Sequence, residues 1–328
     1  MTPYRVCDLS DEAIVNEIVE EFKSKVDVVV GGPPCQGFST LGKRRDGDKR
    51  STLVEVFADA ARAIQPKIII MENVVGIRSK KHPTYGTYLE AFTQKLQSPK
   101  NGLKSYTVSF REINCLDFGL AQTRKRIIAV AFREDIGCPE STSDVFWRTL
   151  ENERRPAKIL REVIGDLPNA PIGSGSGVDI NSHYSMRHSK ELIARLIHVP
   201  PGGGLLDVPV ALLTPHLLRM RSGAYGSGGH VKNVYGRLEW DKPCGTIVAG
   251  IDKITCGRYI HPEEHRLLTP RECARLQSFP DSFAFSGSMV TKYYLIGNAV
   301  PPAISCAIER ASRSVLLDGE EINELNAA

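Results

Sequence analysis

The chain has 328 residues, 41% of them hydrophobic and 24% charged, with a formal net charge of +4 and a pI near 8.6. That length holds one large domain or two modest ones, and the balance excludes a disordered or membrane-embedded chain, because no apolar run nears the roughly 20 residues that a bilayer requires. Eight cysteines without a CxxC pair speak against structural zinc and a disulfide framework, so no metal is expected; Met1 is not followed by a signal pattern, and a cytoplasmic protein with free thiols is expected.

Taken in order, Tyr4–Leu9 reads as a short strand ending near Asp8, and Ser10-Asp11-Glu12 as the cap of a helix through about Phe22. Val26–Val30 is an apolar, β-branched run suited to a buried strand, and the order strand, helix, strand suggests a parallel sheet. Gly31, Gly32, Pro33 and Pro34 stop that strand and present Cys35 just beyond its carboxyl end, where open α/β sheets build ligand sites. A lone cysteine is more often a small buried hydrophobe; this turn favours an exposed thiol near backbone N–H groups that lower its pKa.

The stretch 36–50 contains KRRDGDKR, with five basic and two acidic side chains. Most such runs are solvated loops, but its position directly after Cys35 favours a lid that meets phosphates. Thr52–Ile64 has helical periodicity. Ile68–Met71 is another buried strand and delivers Glu72-Asn73-Val74 to its carboxyl end, on the rim of Cys35 if the two strands are parallel neighbours. An isolated Glu there is more often a cap; beside a cysteine it makes an acid and nucleophile pair.

Tyr85–Leu96 reads as a helix, and 106–110 and 127–132 as strands joined by a segment ending Gln122-Thr-Arg124-Lys-Arg126. Alternation would project Arg124 and Arg126 from one strand face, where guanidinium groups serve either as surface charge or as ligands for a phosphate or base carbonyl. Residues 168–260, rich in Gly, Pro, Ser and His, suggest a small irregular domain with recognition loops, and His183, His188, His216 and His230 lack metal-ligand spacing. Arg266–Phe279 looks like a capped helix, with Thr269 as N-cap and Glu272 completing the box. Gly297-Asn298 precedes an apolar helix over 303–315 and either exposes amide donors to a ligand or makes a turn; the last dozen residues look frayed.

Five of these stretches, in this order, resemble the cytosine-C5 DNA methyltransferase family: Pro33-Pro-Cys-Gln36, Glu72-Asn-Val74, Gln122-Thr-Arg-Lys-Arg126, Arg271-Glu-Cys-Ala-Arg-Leu-Gln277 and Gly297-Asn-Ala-Val300. The resemblance implies an α/β, S-adenosylmethionine-dependent methyltransferase (Rossmann-like) sheet, incomplete at its amino end, with a small irregular target-recognition domain. It divides the chain into a first catalytic part at 1–167, target recognition at 168–260, a returning catalytic part at 261–315 and a tail at 316–328.

By the same resemblance Cys35 is the nucleophile that adds to cytosine C6, with Gln36 beside it. Glu72 engages N3, Arg126 holds O2 and Arg124 supports the site. Asp8 and Leu9 face the adenine of S-adenosylmethionine, Pro34 and Leu53 the pocket wall, and Asn298 its methionine end. Double-stranded DNA is the implied partner, with the target cytosine flipped from the stack, in a restriction–modification or epigenetic role and, if bacterial, near the nucleoid.

One departure stands out. The family begins with a Phe-x-Gly-x-Gly turn and a second strand carrying a ribose-binding acid, and this chain begins at what resembles the third strand. The expectation is an open sheet edge, completed by an amino-terminal subunit or a homo-oligomer partner, or left open because the chain is a truncated product. Two readings compete with the enzyme: a noncatalytic DNA-binding or regulatory paralogue, and an RNA methyltransferase of a related branch.

Overall fold

The computed structural model describes residues 5–34, 53–98, 102–136, 139–173, 181–223 and 233–327. Cys35, Gln36 and the basic stretch 43–50 lie outside the described residues. The chain divides into two compact units, one of 1–113, 125–153 and 307–328, the other of 114–124 and 154–306.

The first unit is built on a four-stranded sheet in the order β1-β2-β6-β5, formed by β1 (Val28–Gly31), β2 (Ile68–Val74), β5 (Tyr106–Asn114) and β6 (Lys125–Arg133). Ile68–Met71 and Ile127–Phe132 are buried continuously, as strands covered on both faces must be. β1 runs parallel to β2 with Gly31 opposite Met71, so their carboxyl ends share one rim. β2 and β6 are antiparallel, with Val74 opposite Arg126. The sheet is therefore mixed, where element order alone suggested a parallel one.

Helix α1 (Glu12–Phe22) starts at Asp11, whose side chain accepts from the Ala13 amide. In α2 (Leu53–Ile64), Val54, Ala58 and Ala61 recur at helical spacing and are buried. A short hairpin, β3 (Lys81–His82) with β4 (Gly86–Thr87), leads into α3 (Tyr88–Gln97), which Thr87 and Glu90 close with a capping box. Helix α4 (Pro139–Asn152) packs on β6. The expected strand over 4–9 does not form: the described residues 5–8 have no ladder partner, Val6 is 89% exposed and α1 has no fully buried residue. A strand exists only by pairing, and β1 is left as a sheet edge with Val30 65% exposed.

The second unit contains little regular structure: α5 (Leu160–Ile164), α6 (Lys190–Leu196), α7 (Pro215–Arg221), the two-stranded pair β7 (Gly236–Arg237) and β8 (Arg258–Ile260), then α8 (Pro270–Leu276) and α9 (Met289–Asn298). Its Gly- and Pro-rich backbone cannot satisfy its carbonyls by ladders, and buried arginines take them instead. Arg237 donates to the carbonyls of Leu196, Val199, His261 and Glu264. Arg271 donates to those of Asn181, Pro280 and Phe283.

Thr269 and Glu272 form the expected capping box, and Glu272 also takes a bidentate pair from Arg266 at 2.8 Å. The final helix α10 runs over Pro302–Ala327, beyond the expected end at Val315. Among the described residues, no helix is long and apolar enough to cross a membrane.

Candidate active site and cofactor groove

At the shared rim of β1 and β2 the ladder ends at Gly31, because Pro33 and Pro34 offer no N–H. Gly32 passes directly over Glu72: a Cβ placed there would lie 3.7 Å from Glu72 Oε2. Asn73, 1% exposed, holds the turn through Nδ2, which donates to the Pro33 carbonyl at 3.2 Å, while its Oδ1 accepts from the Val74 amide at 2.9 Å.

Glu72, Val74, Arg126 and Ile128 share one face of the β2–β6 pair, since residues alternate along a strand and opposed residues project together. Arg126 Nε stands 2.9 Å from Glu72 Oε1 on that face, each side chain 16% exposed. The approach is an ion pair and not an aligned hydrogen bond, so Glu72 Oε1 retains acceptor capacity. Arg126 Nη1 donates to the Lys125 carbonyl.

Arg124 has another destination. It precedes β6 and is 2% exposed in the second unit, where Nη1 donates to Ile247 O at 2.9 Å and Nη2 to Ala299 O at 3.1 Å, with both nitrogens on Gly297 O. The expectation that Arg124 and Arg126 project from one strand face therefore does not hold. The same unit contains a buried amide pair: Gln122 Nε2 donates to Gln277 Oε1 at 3.0 Å and Gln122 Oε1 accepts from the Ile247 amide. Gly297 lies against the backbone of Val248 and Ala249 with no room for a Cβ, and its carbonyl serves Arg124. Asn298 is the exposed last residue of α9, ahead of the helix that begins at Pro302.

In the first unit an apolar groove of about 830 Å³ lies between residues 6–9 with α1 and the β1–α2 wall. Asp8, Leu9, Pro34 and Leu53 all line it. Phe57 of α2 forms part of its wall and stacks on Phe92, with its ring seated over Gly31 where a side chain would collide. Asp8 Oδ1 accepts from the Ser10 amide and hydroxyl at 2.9 and 2.7 Å, and these bonds hold its carboxyl below the ordinary carboxylate value. A groove of this size, with apolar walls and one carboxylate acceptor, fits the adenine end of a nucleoside cofactor.

The quoted motifs contain Asn73, Gln122 and Gln277 without giving them these contacts, and nothing in the sequence singles out Phe57. For Asn73 a signal existed: a polar amide continuing a buried strand must find partners inside.

The model of C-5 cytosine-specific DNA methylases matches residues 7–313. The chain belongs to the C-5 cytosine-specific DNA methylase family. It is 30% identical over 319 residues to the type II methyltransferase M.DdeI of Desulfomicrobium norvegicum, covering 88% of this chain and 73% of that one. It is 32% identical over 308 residues to M1.HphI of Haemophilus parahaemolyticus, covering 92% and 72%.

Among solved structures, this family member is similar to a putative DNA modification methyltransferase encoded within a prophage of E. coli, with a TM-score of 0.61 at 21% identity over 94% of this chain and 85% of the other. It is also similar to the S. pombe Dnmt2 methyltransferase, with a TM-score of 0.52 at 16% identity, covering 92% and 81%. These likenesses bear out the mixed α/β, Rossmann-like methyltransferase fold expected from the motifs.

Proposed function

We propose that this family member is a DNA (cytosine-5)-methyltransferase acting through a covalent adduct between Cys35 and cytosine C6, within a restriction–modification system. The observation that carries the reading is the Glu72 and Arg126 pair, 2.9 Å apart beside the Gly-Pro turn that leads to Cys35. The type II relatives support the restriction–modification role.

Cytosine C5 is a poor nucleophile until a thiolate adds to C6. In this reading Cys35 forms the S–C6 bond, with Gln36 beside it, as electrons move toward N3. Glu72 must take up a proton before attack and donates it to N3, neutralising the charge that develops there, while Arg126 donates to O2 from the same strand face. Arg124, committed to three backbone carbonyls, keeps the supporting role that the family resemblance gives it. S-adenosylmethionine, when bound, supplies the electrophilic methyl group that C5 takes up. Loss of the C5 proton to a base and departure of the Cys35 thiolate from C6 then restore aromaticity.

The groove supports the cofactor assignment: Asp8 would accept from the adenine amine, with Leu9, Pro34 and Leu53 as apolar walls. Asn298 is retained as the candidate for the methionine end. Double-stranded DNA is the acceptor, and 168–260 reads the flanking bases. Among the described residues β1 is a sheet edge and 5–8 have no ladder partner, which favours a further strand completing the sheet, from this protein, from another polypeptide or from a second copy.

The test is transfer of labelled methyl from S-adenosylmethionine to duplex DNA, with structured RNA in parallel. Incorporation into DNA that Cys35→Ala abolishes is the expected result. RNA as the better acceptor would select the RNA branch. DNA binding with no transfer by the chain, alone or in an oligomer, would favour the noncatalytic reading or a missing partner.

A further inference from the structure

Pairing of β1 with β2 advances one residue at a time from Val28 and Ile68 to Gly31 and Met71. Continued, that register would set Gly32 against Glu72 and Pro33 against Asn73. The backbone cannot continue it, because Pro33 and Pro34 have no N–H to give. At this point the Asn73 side chain spans the gap, and its Nδ2 donates to the Pro33 carbonyl at 3.2 Å. The other end of the carboxamide is fixed too, since Oδ1 accepts from the Val74 amide at 2.9 Å.

Reversing the amide would set nitrogen against N–H and oxygen against C=O, so the hydrogen-bond pattern allows one orientation. At 1% exposure the carboxamide is shielded from bulk solvent. Asparagine is thus required by shape as well as polarity. Aspartate would direct a carboxylate at a carbonyl, and alanine would leave the Pro33 carbonyl and the Val74 amide without these partners.

We infer that Asn73 is a positioning residue: its carboxamide serves as the next rung of the β1–β2 ladder and fixes the course of Gly32 and Pro33 over Glu72, from which the chain proceeds to Cys35. This rests on the proposed nucleophile and acid. The proposal gives the Glu72-Asn73-Val74 stretch a second role. Glu72 faces the chemistry, and its neighbour, projecting from the opposite strand face, holds the turn that delivers the thiol. A misplacement of about 1 Å at such a point costs on the order of 100-fold in rate.

The experiment compares Asn73→Ala and Asn73→Asp with Leu96→Val, a buried α3 substitution remote from the groove that serves as a stability control. Two readouts are taken on the full chain. Amide hydrogen exchange over 28–32 needs no turnover, and Asn73→Ala is expected to raise it about 10-fold at the carboxyl end of that stretch while Leu96→Val leaves it unchanged. The rate of covalent trapping on duplex DNA containing 5-fluorocytosine, with S-adenosylmethionine present, is expected to fall 10- to 100-fold, with the Kd for DNA and for S-adenosylmethionine within about twofold.

Asn73→Asp should regain trapping, relative to the unsubstituted chain, as pH falls, because a protonated carboxyl again offers the Pro33 carbonyl a donor. Unchanged exchange in Asn73→Ala, or a trapping loss no larger than in the Leu96→Val control, overturns the positioning role. The nucleophile reading fails separately, by trapping that survives Cys35→Ala.

Discussion

Arg126 Nε lies 2.9 Å from Glu72 Oε1, a diagonal pair across the antiparallel β2 and β6. At 16% exposure each, the two charges are partly desolvated, yet solvent still screens them. The pair is therefore expected to matter more to activity than to folding. Glu72→Gln and Arg126→Ala should each lower kcat by about 100- to 1,000-fold, with unfolding free energy changing by less than about 1 kcal/mol. Single-turnover methyl transfer and urea unfolding, measured on the same preparations, check both halves.

Two residues earlier the balance reverses. Arg124→Ala leaves the Ile247, Gly297 and Ala299 carbonyls without a buried charged donor, and should destabilise the second unit by about 3 kcal/mol. Arg124→Lys should recover less than half of that, because an ammonium lacks the guanidinium fork. Urea titration monitored through Trp240 fluorescence reads the loss. A kcat defect at full stability would instead make Arg124 a substrate ligand.

The groove makes its own demand at Gly31. A methyl group there must displace the Phe57 ring, which forms part of the groove wall and stacks on Phe92. Gly31→Ala should cost about 1–3 kcal/mol of stability through overpacking. It should also weaken S-adenosylmethionine binding about tenfold while leaving duplex DNA affinity unchanged. Calorimetric titration with each ligand separates the two effects.

Acid should unfold the second unit in two stages. Burial holds His261 and His188 below the ordinary 6.5, Arg266 adding to the effect in both; Glu272 opposes it at His261 without reversing it. Both depressed imidazoles are favoured neutral, so the stability they contribute is present above pH 6.5 and is lost as pH falls through their folded values. Burial pushes Glu272 up, but its hydrogen bonds and charge contact with Arg266 more than offset this and leave it below 4.5. Its contribution is therefore lost at still lower pH. Urea midpoints between pH 8 and pH 3 should be level above 7 and then descend in two steps, with His261→Gln reducing the first. A midpoint that rises on acidification would contradict this.

Much of the local structure was legible because its causes are local. The runs Val28–Val30 and Ile68–Met71 state their burial in composition, and Asp11 and Thr269 announce helix starts through bonds that close within three residues. The five ordered motifs suffice by themselves to mark the family.

What only the tertiary structure decided involves partners far away in sequence. Strand composition does not encode the antiparallel pairing of β2 with β6. Arg124 and Arg126 are alike in type and alternate as a strand would have them, yet one goes to carbonyls 123 to 175 residues away and the other to Glu72. The strand expected over 4–9 failed for the converse reason: its residues suit a sheet, but a strand takes its backbone hydrogen bonds from a neighbour, and none of the described residues provides one. Periodicity and capping belong to the segment itself, whereas pairing direction and the destination of a long cationic side chain are settled by whichever acceptors the folded chain brings within hydrogen-bonding distance.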